Sequence, residues 1–195
     1  MVMSRLSKFF VNREARGRQN FQAVQQYLSA LPAKDIRSTL EIGCGIGTVS
    51  ALLAESYGLE AWGTDHDPQQ IAIAKSLYPE TDRLRFQVED VTGLSFGDAR
   101  FDLVITQKVL HHIPRWQKAI REMVRVLQPG GYFIYDDIVF HQSLKKLASR
   151  MARGGTPYTF DEIREVCQGN HLTVLQQHRS MGLLFPQFCL VLKKL

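Results

Sequence analysis

Three glycines, Gly43, Gly45 and Gly47, stand at alternate positions in the segment LEIGCGIGTVS, between an apolar run and a run of helical spacing. Because glycine has no Cβ atom, the backbone there can turn sharply and come close to a ligand. Ligands of open α/β sheets bind outside the carboxyl ends of the strands. The segment therefore predicts a ligand-binding turn, with a purely structural turn as the alternative. No Gly-Lys-Ser/Thr sequence follows, which disfavours a triphosphate-binding loop.

Acidic residues end the next two predicted strands. Asp65 could accept hydrogen bonds from both hydroxyls of a ribose, although a solvent-facing loop residue is the alternative. An acid at Glu89 or Asp90 could accept a hydrogen bond from an exocyclic amine such as that of adenine. These features fit a nicotinamide dinucleotide as well as an adenosyl cofactor. The Gly-x-Gly-x-Gly spacing differs from the dinucleotide fingerprint Gly-x-Gly-x-x-Gly and favours the adenosyl cofactor.

A pair of histidines, His111 and His112, follows the fourth predicted strand. Imidazole is the commonest general base in enzymes. Adjacent residues at a helix start point in different directions, so we expect only one of the two to face the site, and a structural role is the alternative. Tyr158 is interpreted as a surface aromatic residue. The further candidates for a general base are Asp136, Asp137, His141 and Tyr158.

Short β-type runs alternate with runs of helical spacing from about residue 37, which predicts parallel strands joined by helices. Capping boxes at 67–70 and 159–162 predict two helix starts, and Pro114 begins a helix that the segment QPGG (128–131) ends. No helix separates the last two strands, so they must be antiparallel neighbours. We expect an α/β fold whose mostly parallel sheet is closed by one antiparallel strand. The predicted strands are 38–42, 59–65, 84–90, 101–106, 132–137, 172–178 and 188–194.

The composition is that of a globular protein, and 195 residues suffice for one domain with a full core, which we expect over 1–195. The net charge of +5 makes anionic partners worth considering but identifies none. The three cysteines match no metal-binding spacing and are interpreted as reduced thiols of a cytoplasmic protein. No signal peptide is recognised, and no apolar run approaches the about 18 residues of a spanning helix.

Over about Leu40–Asp137 the chain resembles the class I S-adenosylmethionine-dependent methyltransferases, in the segments LEIGCGIG, WGTDHD, VEDV, FDLVITQKVLHHI and VLQPGGYFIYDD. The resemblance implies a Rossmann-like three-layer sandwich with a seven-stranded, mostly parallel sheet, in which the antiparallel last strand inserts beside strand six. It also implies methyl transfer from S-adenosylmethionine to a small-molecule or lipid-like acceptor by in-line displacement, with S-adenosylhomocysteine as product. A non-catalytic S-adenosylmethionine-binding protein and an NAD(P)-dependent oxidoreductase are the alternatives.

The resemblance assigns cofactor contacts residue by residue. Asp65 would hold the ribose hydroxyls, and His66 would flank the adenine. Asp90 and the backbone of Val91 would read the adenine amine, and Gln107 would face the methionyl part. A sulfonium leaves as a neutral thioether, so positioning supplies much of the catalysis, and a base such as His111 or His112 is needed only for an acceptor that carries a proton. The residues implied to surround the methionyl part and the ribose are Glu41, Gly43, Cys44, Gly45 and Gly47.

Two short segments flank the expected acceptor side: an N-terminal helical cap at 1–37 and an insert at 138–159. They leave the acceptor undetermined. Met1–Arg18 and His141–Arg153 pattern as basic amphipathic helices, which can touch anionic membranes or guide an acidic substrate, or can simply pack on the domain. Too few aromatic residues interleave with the basic ones for a nucleic-acid platform, so we expect no nucleic-acid partner.

Overall fold

A computed structural model describes residues 14–29, 31–32, 35–141, 145, 157–180 and 187–195. The chain alternates helices and strands as the sequence pattern predicts. A short 3₁₀ turn at Leu110–His112 precedes the fourth helix. The helices are α1 (Glu14–Leu28), α2 (Thr48–Tyr57), α3 (Pro68–Leu77), α4 (Trp116–Val126) and α5 (Phe160–Gly169). The strands are β1 (Ser38–Ile42), β2 (Glu60–Asp65), β3 (Leu84–Val88), β4 (Phe101–Gln107), β5 (Leu127–Ile138), β6 (Leu172–Ser180) and β7 (Gln187–Lys194).

The seven strands form one sheet in the order β3-β2-β1-β4-β5-β7-β6. Strands β1 to β5 are parallel to one another, whereas β7 runs antiparallel to both β5 and β6. The predicted fold class is therefore confirmed, including the insertion of the last strand beside β6. The strand order reverses at β1, because β2 and β3 lie on one side of it and β4 and β5 on the other. The carboxyl ends of β1 and β4 therefore frame a crevice of the kind in which such sheets bind ligands.

Successive apolar side chains of β5 point to alternate faces of the sheet and so contribute to the cores on both faces. Phe133 and Tyr135 belong to a core that also contains α4 and α5, with Trp116 and Ile163 buried in it. Ile134 belongs to the opposite core, which α1 covers. Helices on both faces make the three-layer sandwich, and they exclude water from the strands whose ends carry the polar residues described below.

The predicted capping box at Thr159 is present, with reciprocal bonds between Thr159 and Glu162. The one predicted at Asp67 is only half correct. The Asp67 side chain accepts from the backbone of Gln69, but no bond returns from Gln70, whose amide atoms are buried without a partner among the described residues.

The segment QPGG, predicted to end a helix, has a different role. The helix ends at Val126, and residues 128–131 lie within β5 at a bulge, where the pairing shifts from Phe101 with Leu127 to Leu103 with Tyr132. Extra residues in one strand of a pair leave the ladder locally and bend the strand. The helix predicted from Pro114 begins at Trp116.

Within the described residues, no helix combines the length and the apolarity that a membrane crossing requires. The predicted basic helix at Met1–Arg18 overlaps the described chain only from Glu14, where α1 begins. Most of the predicted helix at His141–Arg153, and the link at 181–186, lie outside the described residues. The cap and insert boundaries at 1–37 and 138–159 remain predictions.

Candidate active site

The glycine turn joins β1 directly to α2. Gly43, Gly45 and Gly47 all have positive φ angles, of 72°, 55° and 82°, which L-residues with side chains rarely adopt. A Cβ atom on Gly43 would lie 2.3 Å from Val109, and one on Gly47 would lie 2.5 Å from the ring of Phe86. The sharp turn predicted from the glycines is therefore present, and two of them also make room for neighbouring side chains.

Asp65 ties the end of β2 to this turn. Its carboxylate accepts from the backbone nitrogen of Gly45 at 3.0 Å and from that of Asp67 at 2.9 Å. Burial raises the pKa of Asp65. Each carboxylate oxygen has two lone pairs, so both oxygens retain acceptor capacity for hydroxyl groups of a ligand. The structure thus brings the predicted ribose acceptor to the glycine turn.

Glu41 on β1 and Cys44 within the turn are both buried. Glu41 is 5% exposed and accepts from the backbone nitrogen of Ser50 at 2.9 Å and from the Ser50 hydroxyl, which satisfies a donor of the first turn of α2. Burial raises the pKa of Glu41 to about 7. Burial likewise raises the pKa of the Cys44 thiol, which keeps that thiol protonated and inert. These contacts give Glu41 a role in shaping the turn.

The two acids that follow β3 differ sharply in their surroundings. Glu89 is buried and accepts from the backbone nitrogen of Ser95 at 3.1 Å and from its hydroxyl. Asp90 is exposed, and Thr92 donates to a single oxygen of it, from both nitrogen and hydroxyl at 2.8 Å. The Thr92 amide is the largest cause that lowers the pKa of Asp90, and the charges of Arg115 and His66 contribute less. Asp90 is therefore the acid that can meet a ligand.

Gln107 ends β4 with its amide held in one orientation. Its Nε2 donates to the backbone oxygen of Asn20 in α1 at 3.2 Å, while Lys108 Nζ donates to the Asn20 side chain at 3.3 Å. Its Oε1 is buried and has no partner among the described residues. A buried acceptor without a donor costs free energy until a ligand supplies one. Sequence reasoning missed Asn20, since nothing in α1 marks it.

His111 is bound to a carboxylate that the sequence offered only as one candidate among several. Its Nδ1 lies 2.5 Å from Asp137 Oδ1, and the Tyr158 hydroxyl donates to Asp137 Oδ2 at 3.0 Å. The interpretation of Tyr158 as a surface residue is wrong, because it is 1% exposed and packs on Trp116. Neighbouring Asp136 faces the other side of the sheet, where Gln187 donates to it at 2.6 Å.

The ring of His112 lies against that of His111, with ring centroids 3.8 Å apart and ring planes tilted by 44°. Burial, and then the neighbouring His111, lower the pKa of His112. His66 and Val91 complete the predicted set: His66 is exposed and Val91 is buried beside Asp90. Among the described residues no cluster of metal-ligating side chains is found.

Residues 40–135 match the family model described as a methyltransferase domain. The chain is 37% identical over 100 residues to 2-methyl-6-phytyl-1,4-hydroquinone methyltransferase of Synechocystis sp., covering 51% of this chain and 31% of the relative. It is also 37% identical over 107 residues to the chloroplastic tocopherol O-methyltransferase of Arabidopsis thaliana, covering 52% and 30%. The chain thus spans about a third of the length of each of these relatives.

Among solved structures, phosphoethanolamine N-methyltransferase 2 of Haemonchus contortus, bound to phosphomonomethylethanolamine and S-adenosylhomocysteine, superposes with a TM-score of 0.73 at 16% identity. The superposition covers 89% of this chain and 52% of that one, and it shows the common fold. The sheet order, the glycine turn and the family match identify a class I S-adenosylmethionine-dependent methyltransferase domain. The family and S-adenosylmethionine as its cofactor, both predicted from the sequence, are thereby confirmed.

Proposed function

We propose that the protein transfers the methyl group of S-adenosylmethionine to a small-molecule, lipid-like acceptor by direct in-line displacement. The observation that carries the proposal is the unpartnered Oε1 of Gln107 at the same sheet edge as the glycine turn. The methionyl ammonium of the cofactor is a donor of the kind that this buried oxygen lacks. The residues present therefore fit the cofactor, and the assignments of individual contacts below are proposals.

Asp65 would accept from the two ribose hydroxyls while it keeps its bonds to the glycine turn. Asp90, with one oxygen not engaged by Thr92, would accept from the adenine amine, and His66 would flank the ring. When bound, the sulfonium cofactor supplies an electrophilic methyl group. The chain's own contribution is to hold that methyl group in line with the acceptor and to exclude water, which can supply several kcal/mol of the barrier.

The acceptor is proposed from the relatives, whose names specify a phytyl-substituted hydroquinone and tocopherol. Both are small phenolic molecules that carry a long apolar chain. An acceptor of this kind is lipid-like, which agrees with the basic character of Met1–Arg18 and with contact at a membrane surface. An anionic acceptor would be favoured by the net charge of +5.

The test has two parts. Titration calorimetry should detect binding of S-adenosylhomocysteine and none of NAD or NADP, and the product should raise the melting temperature because it binds only the native state. A panel of hydroquinones, phenols and amines should then release S-adenosylhomocysteine from S-adenosylmethionine with one or more members. Tight NAD binding without adenosylhomocysteine binding would overturn the cofactor assignment, and cofactor binding without any turnover would favour the non-catalytic alternative.

A further inference from the structure

Asp137 is completely buried and collects four donors. The Ile138 nitrogen lies 2.7 Å from Oδ1, and the backbone nitrogen of His111 lies 3.3 Å from Oδ2. His111 Nδ1 at 2.5 Å and the Tyr158 hydroxyl at 3.0 Å complete the set. A carboxylate that only accepts is fully satisfied in this arrangement, since donors occupy both oxygens.

This arrangement fixes the tautomer of His111. Because Asp137 accepts, Nδ1 must carry the proton, and the neutral ring then presents a lone pair at Nε2. The His111 side chain is 19% exposed, whereas Asp137 is inaccessible. A reagent can therefore reach His111 but not the carboxylate that orients it.

Two tyrosines extend the chain of hydrogen bonds into the core. Tyr135 donates from its hydroxyl to the hydroxyl oxygen of Tyr158 at 3.4 Å, and Tyr158 donates to Asp137. Burial raises the pKa of both tyrosines well above the ordinary value, so both remain protonated donors. A buried network whose members are all satisfied holds its end group rigidly.

The polypeptide that carries His111 lies against the glycine turn. Val109 occupies the space beside Gly43 that a side chain would otherwise fill. His111 itself stands where the carboxyl ends of β4 and β5 meet, since its nitrogens bond to Asp137 on β5. The base is thus placed beside the proposed cofactor site, at the edge of the sheet where a methyl acceptor would enter.

We propose that His111 Nε2 is the general base of the methyl transfer, that Asp137 and Tyr158 position it, and that the acceptor is a hydroxyl compound. The inference rests on the proposed function. As the acceptor oxygen bonds to the methyl carbon, its proton passes to Nε2, and the carbon–sulfur bond breaks with its electron pair left on sulfur. The imidazolium formed is held by Asp137 and afterwards returns its proton to water.

An acceptor without a proton to lose, such as a tertiary amine or a thioether, would need no base. The groups that face the His111 ring are Asp137 on β5, the tilted ring of His112 beside it and, through Asp137, Tyr158 before α5. Asp137 favours the protonated ring, whereas a charged His112 would oppose it. Desolvation, and then the neighbouring His111, lower the pKa of His112, which favours the neutral form of that ring.

The first test is turnover with a methylated hydroquinone as acceptor. His111→Ala should lower kcat about 100-fold or more, with unchanged affinity for S-adenosylhomocysteine. His112→Ala should cost less than His111→Ala, and the exposed His178→Ala is the matched control that leaves the rate unchanged. Full turnover in His111→Ala, or turnover confined to tertiary amines and thioethers, would overturn the proposal.

The second test needs no substrate. Proton NMR of the free protein should show a downfield resonance for the His111 Nδ1 proton, which Asp137→Asn abolishes and the milder Tyr158→Phe shifts. Tyr158→Phe should also displace the pH profile of kcat while leaving KM within about twofold, an effect that simple loss of packing would not produce. Absence of the resonance in the wild type would refute the positioning role. Failure to bind S-adenosylhomocysteine would instead refute the proposed function, so the two failures are distinct.

Discussion

The Nε2 atom of Gln107 donates to the backbone oxygen of Asn20 at 3.2 Å, and this bond fixes the orientation of the amide. The nitrogen is turned to α1, and the oxygen remains buried without a partner among the described residues. The end of β4 therefore carries a buried acceptor without a donor, which costs free energy that a donor from a ligand would recover.

Gln107→Leu should weaken the binding of S-adenosylhomocysteine by about 10-fold or more, because the ligand's ammonium loses its acceptor at a cost of about 1–3 kcal/mol. The free protein should change little in stability, since the variant removes an unsatisfied buried oxygen but also the bond from Nε2 to Asn20. Calorimetry and chemical denaturation measure the two effects. The exposed Gln117→Leu provides the matched control. Affinity equal to that of the wild type would return Gln107 to a packing role.

Asp65→Ala should lower the affinity for S-adenosylhomocysteine about 10- to 100-fold, since both the ribose hydroxyls and the nitrogen of Gly45 lose an acceptor. Asp65→Asn keeps one oxygen and should lose less. The exposed Asp82→Ala serves as the control. If titration calorimetry gave the same affinity for Asp65→Ala and the wild type, the ribose assignment would be wrong.

Gly47→Ala should destabilise the fold by about 2–4 kcal/mol, because the new methyl group would strain a left-handed residue and press on Phe86 at 2.5 Å. Gly97→Ala is the matched control, since a Cβ atom there meets nothing within 4 Å. Urea denaturation of both variants measures the difference. Equal stability of the two would mean that the turn relaxes without cost.

Glu41 should make the protein less stable as pH rises from about 4.5 to about 7, its ordinary and its raised pKa. Over that window the native state holds a proton that the unfolded chain has lost, so the free energy of unfolding falls, by up to about 3 kcal/mol, and then levels off. Glu41→Gln stays neutral and still accepts from Ser50, so its stability should lack this decline. Denaturation at pH 5 and pH 8 measures it, with the exposed Glu55→Gln as control. Parallel pH curves for the wild type and Glu41→Gln would contradict the prediction.

The strands and the glycine turn could be predicted because their signals are local. Period-two runs, three alternate glycines and an acid at the end of β2 each occupy a few consecutive residues. Helix α2 shows the same effect, since Gly47 and Gly58 flank it directly. Local rules fix both ends of such elements.

The partners of the site residues could not be predicted because they come from distant parts of the chain. Asn20 meets Gln107 across 87 residues, and Tyr158 meets Asp137 across 21. No local rule says which of several acids will bind a given histidine, or that an aromatic residue such as Tyr158 will be buried. Such pairs depend on how α1 and α5 pack on opposite faces of the sheet.

The place of β7 in the sheet has a consequence for synthesis of the protein. Strand β6 leaves the ribosome before β7. At that stage it has no strand to pair with, because its neighbour in the sheet is β7 and not β5. Until Gln187–Lys194 emerges, β5 also keeps an open edge at Asp136 and Asp137, whose backbone later pairs with Cys189 and Phe188. The nascent chain can therefore assemble β1 to β4, which carry the glycine turn, first. Strand β5, which carries Asp137, obtains its second neighbour only when β7, some fifty residues later in the sequence, has been made.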